Sequence, residues 1–145
     1  MKHTIYVFAL GLLLLASCKK GGDSTPHLDA LFDEKFVLRY TQSAGLPDQQ
    51  RPELTVTVDD VLDKRCPSCG DGGFVTTVLR VEDQQGSPQT ATLCLYCGPT
   101  SSDTLTVRAN SRRYVLRLHQ VNPAPVAAPA SLKKEEKQVV LSVKR

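Results

Sequence analysis

A chain of 145 residues with 18 Lys and Arg against 15 Asp and Glu carries a formal charge of +3, too small and too interspersed to mark a nucleic-acid binder or a receptor for acidic substrates. A chain of this size suits one domain with its own core, and no second apolar stretch follows the one at its start.

The chain opens on a short polar start, Lys2, His3 and Thr4, followed by an apolar run from Ile5 to Ala16. Such a run is too short for a spanning helix, which needs about 20 residues, and has the length of a signal-peptide core. It ends in Leu15-Ala16-Ser17-Cys18, which looks like a bacterial lipobox. An ordinary secretory signal with Cys18 near the cut is the plainer alternative. The position of Cys18 at the edge of the run, apart from all other cysteines, favours lipidation. We therefore expect a signal peptide over residues 1–17 and a lipid-anchored, palmitate-type modification of Cys18. Each buried methylene adds about 0.8 kcal/mol to membrane affinity, so two or three acyl chains hold a protein permanently. Lys19 after the lipidated cysteine, in place of an aspartate, is compatible with sorting to an outer membrane, and the expected location is the cell envelope.

Residues 18–33 are polar, contain Gly and Pro, and read as a flexible spacer, with room for one helical turn around Leu28 to Phe32. Residues 34–145 are expected to form one domain. Period-two alternation begins at Phe36, Leu38 and Tyr40, and returns at Leu54, Val56 and Val58. Further strands are expected over Phe74 to Val81, Thr92 to Tyr96, Leu105 to Arg108, Arg113 to Val121 and Gln138 to Lys144. In the last of these Val139, Leu141 and Val143 face inward. The intervals, Ser43 to Pro47, Asp83 to Pro88, Gly98 to Asp103 and Ala109 to Ser111, are rich in turn formers. Asn122 to Pro129 reads as an extended crossover, because prolines lack the donors of a central ladder. The mixed-sign stretch Lys133 to Lys137 reads as a solvated face. Together these predict an all-β fold, an antiparallel β-sandwich of immunoglobulin-like type with about seven strands. A partly open barrel stays open as an alternative.

The chemically distinctive residues are Cys66-Pro67-Ser68-Cys69 and Cys94-Leu95-Tyr96-Cys97, each followed by glycine. In a cytosolic chain two such pairs would point to a tetrahedral zinc site. An export signal changes the expectation to structural disulfides, with zinc as the alternative and no other cofactor expected. Four cysteines allow three connectivities. Linking the two loops would close the longer segment, and we expect the oxidised cysteines to hold the loop after the second predicted strand against the fourth. A thiol-exchange role is disfavoured because Gly70-Asp71-Gly72-Gly73 cannot readily start the helix that lowers a CxxC thiol pKa. His27, in the spacer, and His119, on a strand, come with no nucleophile elbow or phosphate loop, so no catalytic residue is assigned and no enzyme is expected. Asp59, Asp60, Asp63 and Asp71 lack calcium-loop spacing and read as a solvated cluster.

The segment Leu54 to Arg80, with Tyr114 to Pro125 and the closing strand, resembles a group of uncharacterised bacterial secreted lipoproteins. These share an Asp-Ser-Arg-Cys-Pro loop with a second cysteine nearby, a Gly-containing strand start and a late Pro-x-Pro crossover. The chain matches at Asp63, Arg65, Cys66, Pro67, Cys69, Pro123 and Pro125, and departs with Lys64 in the serine position and a shortened gap between the cysteines. The resemblance implies a sandwich with an oxidised loop and supplies no activity. The expected function is a membrane-anchored, exported, non-enzymatic binding or structural module that meets the membrane through its lipid, with no nucleic-acid partner and with its protein or glycan ligand not named by the sequence. A metal-binding or thiol-redox accessory protein is the alternative.

Overall fold

The computed structural model describes residues 27–99, 101–124 and 133–145. The expected signal peptide, the lipidated Cys18, the first part of the spacer and most of the proline-rich crossover lie outside the described residues. Among the described residues nine strands form two packed sheets. One holds β1 (His27–Asp29), β3 (Ser43–Leu46), β4 (Leu54–Asp63), β5 (Val75–Glu82) and β6 (Pro88–Leu95), in the order β1-β3-β4-β5-β6. The other holds β2 (Lys35–Arg39), β7 (Thr104–Ala109), β8 (Arg112–Asn122) and β9 (Gln138–Lys144), in the order β2-β9-β8-β7. Every pair is antiparallel except β1 with β3. The expected immunoglobulin-like sandwich is thus built on a strand order of its own: two meanders, β3–β6 and β7–β9, with β1 and β2 added at their edges.

The seven strands legible from alternation are all present, and the count rises to nine through two segments that read otherwise. Ser43 to Leu46, expected as a turn, is β3. Its backbone is satisfied by the regular register with β4, Ser43 opposite Thr57 through Leu46 opposite Leu54, and Ala44 and Leu46 are fully buried. The expected spacer over residues 18–33 ends earlier than predicted, because His27–Asp29 is strand β1 and Ala30 belongs to the core. No helical turn forms over Leu28 to Phe32. Leu28 lies in the strand and Phe32 stacks on Tyr114 at a centroid distance of 5.9 Å.

The core fills the space between the sheets with the inward residue of each alternating pair: Val56 and Val58, Leu79 and Val81, Tyr114, Leu116 and Leu118, Val139, Leu141 and Val143. Among the described residues the core runs from Ala30 to Val143, so a chain starting at Lys19 carries all of it. Chain reversals obey local chemistry. The β7–β8 hairpin closes through Asn110 and Ser111, both with positive φ (50° and 58°), the left-handed pair that matches strand twist. Two bulges, at Asp59 in β4 and His119 in β8, leave the extra residue on the outer side of its strand.

Candidate functional site

The β4–β5 loop, the β6–β7 loop and the end of β8 meet at one end of the sandwich. Both cysteine pairs stand there, on either side of β5. Cys66 and Cys69 lie at disulfide distance with Cα atoms 5.2 Å apart, and Cys94 and Cys97 likewise with 5.8 Å. The pairing is local in both loops. The expected bridging of one loop to the other is therefore corrected: each CxxC turn is tight enough to bring its own sulfurs together, and the loops are held by other contacts. The first cysteine of each pair is buried, Cys66 at 7% and Cys94 at 5% exposure, while the second is the more exposed one. Backbone hydrogen bonds order the first loop: Lys64 N–H donates to Phe74 O (2.8 Å), Cys66 N–H to Gly72 O (2.9 Å) and Cys69 N–H to Cys66 O (3.0 Å). Gly73 completes it with φ 67°, and a Cβ there would overlap the Lys64 carbonyl. The second loop is pinned by Cys94 N–H donating to Ser102 O at 3.0 Å.

Beneath the first loop lies a buried ionic triad. Asp63 accepts from Arg65 through Nε (2.8 Å), Nη2 (2.6 Å) and the backbone N–H (3.1 Å), and from Lys137 Nζ (2.6 Å). The three side chains are 9%, 10% and 3% exposed for Asp63, Arg65 and Lys137. Arg65 Nη2 also donates to Pro123 O at 3.2 Å, tying the loop to the end of β8. Burial pushes the Asp63 carboxyl up, but the hydrogen bonds from Arg65 and then Lys137 outweigh it and hold the pKa at about 2. The stretch Lys133 to Lys137 is therefore not uniformly solvated: it forms a 3-10 turn, Lys134–Glu136, whose exit drives Lys137 inward to 2% exposure. The aspartates read as a solvated cluster also separate. Asp59 pairs with Arg80 (3.4 Å) and Asp60 with Lys134 (3.1 Å), while Asp71 is exposed.

Between the two cysteine loops is an open groove of about 340 Å³ lined by Arg65, Pro67, Asp71, Gly72, Gly73, Tyr96 and Ala124. Tyr96 is held in the left-handed region (φ 68°) with 73% of its surface exposed, a conformation bulky residues seldom adopt. At the opposite end Glu53 accepts from Tyr114 Oη, and from Arg112 (3.3 Å) and Arg145 (3.2 Å). The Tyr114 hydrogen bond, opposed by burial and joined by the two arginines, lowers its pKa. His119 Nε2 shares a 2.8 Å hydrogen bond with Ser142 Oγ on the outer face of the second sheet, and exposed His27 starts β1.

Among the described residues no cluster of three or more His, Cys, Asp or Glu is placed to hold a metal ion, and no helix is long and apolar enough to cross a membrane. Comparison with protein-family models, with curated proteins and with solved structures returned no match.

Proposed function

We propose that the chain is an exported bacterial lipoprotein, anchored in the cell envelope through acylated Cys18, whose sandwich serves as a non-enzymatic binding or structural module. The observation that carries this reading is the closure of both CxxC turns at disulfide distance. Such pairs persist in oxidising compartments, which is where the apolar N-terminal run and its Leu-Ala-Ser-Cys end would deliver the chain. The burial order supports a structural role for the cysteines over thiol exchange. The first cysteine, the expected attacking group of a redox CxxC, is the covered one in both loops, and each loop leads into a strand with no helix N-terminus to activate it. The groove with Tyr96 at its mouth is the recognition site this reading favours.

Two measurements test it. The full chain should partition into the detergent phase and incorporate labelled palmitate, and Cys18→Ala should do neither; detergent partitioning of that variant refutes the anchor. Alkylation of the denatured, unreduced protein should find no free thiol among Cys66, Cys69, Cys94 and Cys97. Four free thiols with bound zinc would replace this reading with the metal-binding one.

A further inference from the structure

The near-neutral composition conceals a strong division of charge between the two sheets. Strands β2, β7, β8 and β9 contain seven Lys and Arg and no Asp or Glu, whereas β1, β3, β4, β5 and β6 contain five acidic residues and one Arg. Register then places six of those seven cations on one surface. Because Leu38, Val107, Tyr114, Leu116, Leu141 and Val143 point into the core, the residues that alternate with them, Lys35, Arg39, Arg108, Arg113, Arg117 and Lys144, point outward from the second sheet. Lys35 and Arg117 flank Ser142 across three adjacent strands, Lys144 stands opposite Val115, and Arg108 stands opposite Arg113. Of these six cations only Arg117 has a carboxylate partner among the described residues, Asp103 at 3.3 Å on the sheet's edge.

Stability does not account for this array. Like charges directly opposite on neighbouring strands destabilise a sheet, and Arg108 with Arg113 is such a pair. The field is felt inside the array as well: after burial, the positive charges of Lys35 and Arg117 press the His119 pKa down. Between the cations the face is a mixture of valines and small polar residues, with Val37 at 44% exposure, Val115 and Val140 half-buried and Thr104 and Thr106 beside them, and it carries no Phe or Tyr. Nucleobases and sugar rings are held chiefly by aromatic stacking, for which this face has only the His119 ring, already engaged with Ser142. Phosphate headgroups need only cations spread over a flat area.

We propose that the outer face of the β2-β9-β8-β7 sheet docks on an anionic lipid bilayer. The biological sense of the contact rests on the anchor proposed above, since only eight residues separate Cys18 from β1 and span at most about 30 Å. The electrostatic contact itself needs no lipid on the protein. Each Lys or Arg near such a surface contributes about fivefold in affinity, and salt weakens all of them.

The test uses the chain from Lys19, which carries the core described above and no acyl group. It is mixed with sedimentable vesicles of phosphatidylcholine alone or with added phosphatidylglycerol, at low and high salt. Binding to the anionic vesicles only, lost at high salt, is expected. Arg113→Gln, Arg117→Gln and Lys144→Gln together should weaken it on the order of a hundredfold. Arg51→Gln, Lys64→Gln and Lys133→Gln together remove the same charge from exposed positions off this face and should leave it within about twofold. Equal loss in both triple variants would reduce the effect to net charge and overturn the proposal. So would binding to soluble dextran sulfate without binding to anionic vesicles, which would make the partner a polysaccharide. Failure of acylation at Cys18 would leave these results unchanged, so the two readings fail separately.

Discussion

Asp63→Asn is the most informative single change at the cysteine end. The substitution keeps the shape of the side chain but removes the one anion between Arg65 and Lys137, whose side chains are 10% and 3% exposed. Two cations then share a poorly solvated site, and breaking a buried pair in this way costs about 3 to 5 kcal/mol. The amide keeps one acceptor oxygen, which puts the expected loss near the lower figure. The acid titration of the wild type gives an independent measure. With the carboxyl held at about 2 against an ordinary 3.8, its ionised form contributes roughly 2 kcal/mol after allowance for screening by nearby solvent. Because the folded pKa is the lower one, this stability is fully present above about pH 4 and is lost as pH falls towards 2. Urea unfolding of the chain from Lys19, followed by far-ultraviolet circular dichroism at pH 7 and pH 3, measures both. Asp63→Asn should lower the midpoint by the equivalent of about 3 kcal/mol at pH 7 and lose part of its acid sensitivity. Lys137→Met should cost less, because Arg65 still satisfies the carboxylate. A shift under about 0.5 kcal/mol for Asp63→Asn, the scale of an ordinary surface change, would refute the account of the triad.

Three further outcomes are expected. Gly73→Ala should destabilise the domain by about 3 kcal/mol in the same assay, since φ is 67° and the new methyl meets the Lys64 carbonyl; an unchanged midpoint would show that the loop relaxes freely. Reduction of the cysteines should cost only about 2 kcal/mol per pair, as each closes a ring of a few residues, and a chelator should have no effect on the melting temperature. His119→Gln should flatten part of the stability profile on the acid side of about pH 6.5. The depressed folded pKa makes the wild type lose stability as pH falls below about 6.5, and an identical profile for the variant would remove His119 as the cause.

The strands that alternate cleanly were legible because one face of each packs and the other is wet, as in Val139, Leu141 and Val143 of β9. β3 was not, because Ser43, Ala44 and Gly45 have little intrinsic preference for a strand and form one only through pairing with β4. β1 is three residues long and depends on the same sheet edge. The cysteines announced themselves by spacing, but pairing within each turn depended on loop geometry. Lys137 sits among charged neighbours that face water, and its partner Asp63 is 74 residues away, so nothing local marks it as buried. The basic sheet face left a signal that composition averages out: Arg113, Val115 and Arg117, like Lys35, Val37 and Arg39, alternate on the outer side of strands already recognised.

The way the first strands enter the fold has a mechanical consequence. A chain held by its N-terminus takes any pull at His27, where β1 is joined to β3 over three residues, and those few hydrogen bonds would yield first. The next strand lies in the other sheet, paired with β9 over five residues and fastened by a fully buried Leu38. Load applied at that end would therefore be absorbed by a short sacrificial strand and stopped by a clamp in the opposite layer, before it reached the cysteine loops.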